Sequence, residues 1–319
     1  MIRTTITIHK TSFLQIARHP IFYLVLSFAA FLVFISQKLV LFSFHTELNM
    51  IRELGLSTLV LWGVFVCILF THQGVFAEFE NRSAMTLLSK PLRRSSYVIG
   101  KYLGLLRALF LGSLLLTLTL ILTLWIHEGL PKLELALVHS SASSIHVYLD
   151  QPPCDSMSGP VLSLGGASLG APLRFSMTPE SAVWSYVTDH FFPSNVWPML
   201  IGGLLSFVQV AVIASFSLCL ATFFPTVIVA VGTLSFYLVG HLSDYLVGIF
   251  QRDVTLFVFV RQMVRCVIPN LEQFNPADHL SRGEALPAIY VALALLYGIL
   301  YVLVVLGTTA FAFSRRELP

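Results

Sequence analysis

Charged side chains are scarce in this sequence. Asp, Glu, Lys and Arg account for 11% of its 319 residues, whereas hydrophobic residues account for 56%. Soluble globular domains carry about 25% charged residues, so the composition excludes an ordinary soluble domain. The formal net charge is only +3, and we expect no nucleic-acid partner. The sequence predicts an all-α integral membrane protein, because helices satisfy their own backbone hydrogen bonds in lipid.

The sequence contains several long apolar segments. The hydrocarbon core of a bilayer is about 30 Å thick and a helix rises about 1.5 Å per residue, so a span needs roughly 20 apolar residues. The N-terminus lacks the cleavage site of a removable signal peptide, and the first span is expected to remain in the mature protein. The six predicted spans are Ile21–Ser43, Ser57–Ala77, Leu103–Ile126, Pro198–Thr222, Thr226–Val247 and Leu286–Ala312.

The segments around these spans complete the predicted organisation. Residues 1–20 are predicted as a cytoplasmic surface helix, because apolar and basic residues of Ile2–His19 fall on opposite faces before Pro20; a plain basic flank is the alternative. The predicted domains are residues 1–20, residues 21–126 with spans one to three and a charged segment at 78–102, an extracytoplasmic insert at 127–197, and residues 198–319 with spans four to six and an outer re-entrant or interfacial segment at 248–285.

The insert at 127–197 is rich in Ser, Gly and Pro. Short runs with strand-like composition, such as Ile145–Leu149 and Leu173–Met177, alternate with these turn-forming residues. We therefore predict a small insert of mostly β or irregular structure. Its histidines lack the close spacing of metal ligands, so no metal site is predicted.

The distribution of basic residues predicts the orientation. Arg3, Lys10 and Arg18 precede the first span, basic residues are concentrated after the second span, and Arg315 and Arg316 follow the sixth. Cytoplasmic loops carry an excess of Lys and Arg, so both termini are predicted to be cytoplasmic in a multi-pass protein of the inner, cytoplasmic membrane. The basic segment at 248–285 is an exception, because a topology of six spans places it on the outer side.

Cysteine is also scarce, and the four residues show no CxxC pairing. On the predicted topology Cys154 and Cys266 share the outer face. They either form a disulfide or remain two thiols, and both alternatives stay open.

The residues needed for several kinds of chemistry are missing. No Gly-x-x-x-x-Gly-Lys-Ser/Thr phosphate loop is present, so the chain is not expected to hydrolyse ATP. The predicted spans hold almost no ionisable residues near the bilayer centre, which disfavours an ion-coupled carrier; His241 is placed toward a helix end, and Gln209 is interpreted as a helix-to-helix hydrogen-bond donor. No nucleophile, base and orienting group stand together, which disfavours a membrane-embedded hydrolase or transferase, so we predict that the chain is not an enzyme.

Small residues recur at every fourth position of the third span, at Gly100, Gly104, Ala108 and Gly112. Such a ridge allows another helix to approach closely, so we predict close helix packing there, with a hinge at the glycines as the alternative.

Charge is concentrated between the second and third spans, from Glu78 to Gly104. Phe79–Ser89 is predicted as a short helix that ends before Pro91. Its two leucines, Leu87 and Leu88, form an apolar contact surface flanked by charged residues. A solvated loop is the alternative. If the protein moves a substrate, the energy must come from a partner, and this segment is the natural place for the partner to dock. The residues of interest are Glu78, Glu80, Arg82, Ser83, Leu87, Leu88, Pro91, Arg94 and Lys101.

This pattern resembles the cytoplasmic coupling segment of type-2 ATP-binding-cassette (ABC-2) permeases, in the class of the permease that matures the copper site of nitrous oxide reductase. Ser83 stands where that family more often has Thr, which keeps the hydroxyl. The resemblance extends more loosely to six spans, to Pro269-Asn270-Leu271-Glu272-x-Phe274 after the fifth span, and to the ending Arg315–Glu317.

The resemblance implies a permease subunit of an ATP-driven exporter. It implies a dimer with a second permease copy, identical or related, and two cytoplasmic ATPase subunits that carry the ATP and Mg²⁺, with no cofactor in this chain. Spans two and five would line the route, and their aromatic walls suit an amphiphile or lipid-linked substrate better than a small ion. The alternative is a membrane anchor or scaffold that recruits an ATPase or envelope complex without forming a pathway. The candidate path residues are Trp62, Phe65, Phe70, Phe236 and Tyr237.

Overall fold

The structure is a computed structural model, and it describes residues 2–39, 47–71, 94–149, 196–243, 269–276 and 286–315. These residues form α-helices and one 3-10 turn, and no strand occurs within them. The helices are α1 (Ile2–Ala17), α2 (Pro20–Leu39), α3 (Glu47–Phe70), α4 (Arg94–Leu149), α5 (Val196–Phe223), α6 (Thr226–His241) and α7 (Ala288–Arg315), with a short 3-10 turn at Glu272–Phe274.

The chain divides into two compact units. One contains Met1–Leu124 and Val196–Pro319, and the other contains Trp125–Asn195. Helix α4 extends to Leu149, so the strand predicted over Ile145–Leu149 is wrong. The predicted strand at Leu173–Met177 lies outside the described residues.

Four helices in the described ranges are long and apolar enough to cross a bilayer, at Met50–Phe70, Ser95–Ile126, Val196–Phe223 and Ala288–Arg315. The chain is therefore an all-α, multi-pass membrane protein. A fifth crossing arises if the helical pair Thr5–Ala17 and Pro20–Ser36, bent by 64°, is a single broken span.

The bend between α1 and α2 is built from local hydrogen bonds. The Arg18 amide donates to the Leu14 carbonyl and the His19 amide to the Ile16 carbonyl, which ends α1. Pro20 then begins α2, where its missing N–H costs nothing. The Ile21 amide donates to His19 Nδ1 at 3.3 Å, so the imidazole caps the new helix. A helix is thus present where Ile2–His19 was predicted, and its location on a membrane surface stays a prediction.

Helix α6 is unusually short for an apolar helix of a membrane protein. It has 16 residues, which is about 24 Å of helix and less than the hydrocarbon thickness. It begins after a break at Phe224 and Pro225, where the Pro225 carbonyl accepts the first amides of the new helix. The predicted span Thr226–Val247 is described only as far as Ser243, and it is a single helix only to His241.

Glycines bring several helices into close contact. A Cβ atom built on Gly104 would lie 2.6 Å from Ser12 Cβ and 3.1 Å from the His9 carbonyl oxygen, and one built on Gly100 would lie 2.8 Å from Ile8 Cγ2. The small-residue ridge of the third span therefore packs closely, as predicted, and its partner over these two turns is α1. Helix α5 uses the same device, because Gly203 packs against Thr117 of α4.

Candidate functional site

A chain of three polar side chains joins three separate parts of the sequence. Gln209 on α5 contacts His241 at the end of α6, with 2.9 Å between Gln209 Nε2 and His241 Nε2. The other imidazole nitrogen, Nδ1, lies 3.0 Å from Glu272 Oε2. We call Gln209, His241 and Glu272 the polar chain. It is the main cluster of interacting polar side chains within the described ranges, and two of its members are ionisable.

The polar chain lies at about half the height of the helical bundle. Gln209 is midway along α5, between the turn that packs on Thr117 and the turn where the Ser217 hydroxyl meets the Thr71 hydroxyl. The neighbouring Val208 contacts Gly298, inside α7. Because α6 is short, its last residue reaches only this level. The structure therefore brings an imidazole and a carboxylate beside the middle of α5, and His241 lies at the end of its helix, as predicted.

The segment at 269–276 is fastened to the end of α6. The Leu271 amide donates to the Gly240 carbonyl at 3.2 Å, and the Ser243 hydroxyl donates to the same carbonyl at 2.9 Å. These bonds satisfy an acceptor that the end of a helix leaves without an intrahelical partner. A Cβ on Gly240 would lie 2.5 Å from Leu271 Cδ1, so glycine lets the segment approach this closely.

The other side of the segment is fastened to α7. The Phe274 side chain is fully buried and stacks on Tyr297 with 6.0 Å between ring centroids. The Tyr290 hydroxyl donates to the Gln273 carbonyl at 2.6 Å. The segment is consequently held between α5, α6 and α7, and this contact network fixes the position of Glu272.

Hydrogen bonds within the segment orient the Glu272 carboxylate. The Glu272 amide donates to Asn270 Oδ1 at 3.0 Å, a turn in which the side chain mimics a backbone acceptor. Asn275 Nδ2 donates to Glu272 Oε1 at 3.2 Å, which leaves Oε2 for His241. Both carboxylate oxygens therefore have a donor.

The exposure of the polar chain falls from one end to the other. Gln209 is buried, whereas the His241 and Glu272 side chains are 28% and 45% exposed. If the Gln209 amide donates to Nε2, the proton of a neutral imidazole resides on Nδ1, and Nδ1 donates to the carboxylate. Among the described residues no Lys or Arg forms an ion pair with Glu272.

Sequence reasoning missed the polar chain, although two signals were present. His241 falls inside the apolar run predicted as a single span at Thr226–Val247, and an ionisable residue within such a run often marks a functional position. The motif containing Glu272 was noted only for its resemblance to a family. What could not be foreseen is that the two residues meet, since they are 31 positions apart.

The predicted coupling residues are only partly described. Arg94 is the first residue of α4, and Lys101 lies two turns later with its side chain buried. The Lys101 ammonium lies 5.7 Å from the centre of the Tyr97 ring, and Tyr97 stacks on Phe313 of α7 with 6.2 Å between centroids. The remaining predicted residues lie outside the described ranges: Glu78, Glu80, Arg82, Ser83, Leu87, Leu88 and Pro91.

All five predicted path residues lie within the described ranges, and two of them are on α6. Phe236 stacks face to face on Phe216 with 4.0 Å between centroids, and Tyr237 packs edge-on against the His241 ring at 4.8 Å. Tyr237 therefore lies beside the polar chain, whereas Phe236 packs on Phe216 of α5.

The other three candidates are on α3, and Tyr237 packs against the hydrophobic cluster that contains Trp62 and Phe70. Trp62 is buried edge-on against Phe22 with 5.9 Å between centroids. Phe70 is buried and lines a groove with Ile16 at the bend between α1 and α2. Phe65 is 53% exposed on the outer surface of its helix. Trp62 and Phe70 thus contribute to packing in this structure, whereas Phe65 is available to lipid or to a partner.

No protein-family model matches this chain, and a comparison with curated proteins finds no match.

Proposed function

We propose that this chain is the membrane-spanning subunit of an ATP-driven exporter, energised by a separate cytoplasmic ATPase that docks on residues 78–102. The observation that carries the proposal is the packing of α4, the helix that leaves this charged segment. Its first turns contact the backbone of α1 through Gly104 and the end of α7 through Tyr97. One helix thus connects the predicted docking segment to two others.

Close backbone contact makes this arrangement suited to transmitting movement. A Cβ on Gly104 would lie 3.1 Å from the His9 carbonyl oxygen and 3.2 Å from the Phe13 nitrogen, so almost no space separates the two helices. Tightly packed interiors have low compressibility and transmit strain. A displacement of the docking segment would therefore move α1 and α4 together. In addition, the Arg107 guanidinium lies 4.4 Å from the centre of the Phe13 ring, which adds a cation–π contact to the same interface.

The proposal assigns ATP and Mg²⁺ to the partner subunit and assumes a second permease copy beside this one. The sequence contains no phosphate loop, which supports an external source of energy. Exposed apolar side chains on α3 and α6, such as Phe65 and Leu238, suit contact with lipid or with a second copy.

The first test is purification of the chain from its native membrane in mild detergent, followed by mass spectrometry of associated proteins. We expect a cytoplasmic ATPase in stoichiometric amount. Charge reversal in Glu80→Lys and Arg94→Glu should reduce its recovery, because both residues lie in the proposed docking segment. Arg18→Glu is the matched control, since Arg18 is an exposed cation outside that segment. Equal recovery with all three variants would contradict the assigned docking residues.

A second measurement separates an exporter from a membrane scaffold. The ATPase rate of the reconstituted complex should rise when a transported molecule is added, because transport couples turnover to the substrate. A scaffold has no reason to show this stimulation. An ATPase rate that no candidate amphiphile changes, in an intact complex, would favour the scaffold.

A further inference from the structure

We infer that the polar chain of Gln209, His241 and Glu272 binds the positively charged head group of an amphiphile. As the site of a transported molecule, this inference rests on the proposed function; as a binding site, it depends only on the geometry described above. The substrate class it names is a molecule with an apolar tail and a cationic head, such as an alkylammonium compound.

The carboxylate of Glu272 is the first feature that favours a cationic ligand. Its carboxylate accepts hydrogen bonds from His241 Nδ1 and Asn275 Nδ2, neither of which needs to carry a positive charge. No Lys or Arg pairs with Glu272 among the described residues. A carboxylate that lies beside apolar helices is stabilised by a cation or by water that compensates its charge. The half-exposed side chain leaves room for a cation to do so.

Three tyrosines contact the residues next to this carboxylate. Tyr237 packs against the His241 ring, Tyr290 bonds the backbone next to Glu272, and Tyr297 stacks on Phe274 two positions later. The face of an aromatic ring is electron-rich and attracts ammonium groups, most strongly where water is excluded. A carboxylate beside tyrosine rings favours an alkylammonium head group over an anionic one.

An apolar stripe on α6 leads to the polar chain. Leu234 and Leu238 are 45% and 51% exposed, and they precede His241 by seven and three positions. Residues with this spacing lie along one face of a helix. The stripe continues one turn earlier with the exposed Val231. If the head group of a ligand binds at Glu272, its apolar tail can pack along this exposed face of α6.

The test compares three probes that share a twelve-carbon tail: dodecyltrimethylammonium, dodecyl maltoside and dodecyl phosphate. The full chain is placed in nanodiscs of zwitterionic lipid, and saturable binding of each labelled probe is measured by equilibrium dialysis, with empty nanodiscs subtracted. We expect saturable binding of dodecyltrimethylammonium and weaker binding of the other two probes.

Two carboxylate variants locate the binding. Glu272→Gln should weaken dodecyltrimethylammonium binding about tenfold, because it removes the charge that faces the head group while keeping the shape. Glu53→Gln makes the same change at an exposed carboxylate on α3 and should leave binding unchanged. Circular dichroism and size-exclusion profiles verify that each variant is folded. If Glu272→Gln binds the cationic probe as well as the wild type does, or if dodecyl phosphate binds equally well, the inference is wrong.

The outcome also separates this inference from the proposed function. Cation-selective binding that depends on Glu272, in a chain that recruits no ATPase, would uphold the site and overturn the exporter. An ATPase complex that is stimulated by amphiphiles and unaffected by Glu272→Gln would uphold the exporter and overturn this site.

Discussion

Helix α1 and the segment at 269–276 both pack against the helical bundle, but they are held by different forces. Helix α1 lies on glycines of α4, so that its contact depends on the absence of side-chain volume. The segment at 269–276 is held by hydrogen bonds: the Leu271 amide donates to α6, the Glu272 carboxylate accepts from His241, and the Gln273 carbonyl accepts from Tyr290 of α7. The first contact rests mainly on shape, with one cation–π contact between Arg107 and Phe13, whereas the second has specific donors and acceptors.

The two kinds of contact suit different functions, namely transmission of movement and binding of a ligand. A contact made by shape transmits displacement whatever the pH or the ligand, and it lies next to the proposed docking segment. A contact made by hydrogen bonds and charge responds to a molecule that offers its own charge, and it lies at the proposed binding site. Added volume should therefore disrupt the first contact, and changed polarity should disrupt the second.

The largest effect is expected from added volume at the first contact. Gly104→Ala places a methyl group against backbone atoms of α1, which cannot rotate away. We expect the free energy of unfolding to fall by about 2 kcal/mol, since overpacking typically costs 1–3 kcal/mol. The measurement is denaturant titration in mixed micelles. Gly307→Ala is the matched control, because a Cβ there has nothing within 4 Å; it should be neutral or stabilising by up to about 1 kcal/mol. Equal effects at the two positions would contradict the close approach of α1.

Changed polarity at the second contact should have a similar or somewhat smaller effect. Gln209→Leu removes the amide that meets His241 Nε2 and leaves an imidazole nitrogen without its partner. We expect a loss of about 1–2 kcal/mol. His241→Leu should cost a similar amount, and the double variant should cost less than the sum by about 1 kcal/mol, because the two residues interact. Strict additivity of the two substitutions would show that the bond contributes nothing.

A smaller effect is expected from Gly240→Ala, which is the same substitution as at Gly104. Its new methyl group would meet Leu271 Cδ1 and Cγ, atoms of a side chain that can change rotamer. We expect a loss of about 1 kcal/mol or less, since the conflict can relax. A loss as large as that of Gly104→Ala would mean that this contact is as rigid as the α1 contact.

The smallest effect is expected from Tyr290→Phe. This change removes only the hydroxyl that donates to the Gln273 carbonyl at 2.6 Å and keeps the ring. A neutral hydrogen bond at a half-exposed position contributes about 1 kcal/mol or less. Amide hydrogen exchange over 269–276 should rise in this variant and stay unchanged over α1. A rise in both regions would show that the two contacts are not independent.

The sequence alone predicts the parts of this fold that follow from local patterns. The length of apolar runs predicts the helices that contain Trp62 and Gln209, and the four-residue spacing of small residues predicts a close contact at Gly104. The partner in that contact is not predictable, because nothing in a glycine specifies what approaches it. The end of α6 at His241 was also missed, since the apolar composition continues to Val247. The hydrogen-bonded meeting of His241 and Glu272 depends on tertiary packing of a segment that local patterns do not position.

The amide of Gln209 gives the polar chain one further property. A primary amide presents a donor on one side and an acceptor on the other, and a half-turn of its terminal group exchanges them. With a neutral imidazole the amide donates to Nε2; with an imidazolium its oxygen accepts from the same nitrogen, while Nδ1 donates to Glu272 in both cases. The number of hydrogen bonds is the same in the two forms. The amide of Gln209 can therefore match either form of the imidazole, so that the arrangement of the three side chains is the same in both.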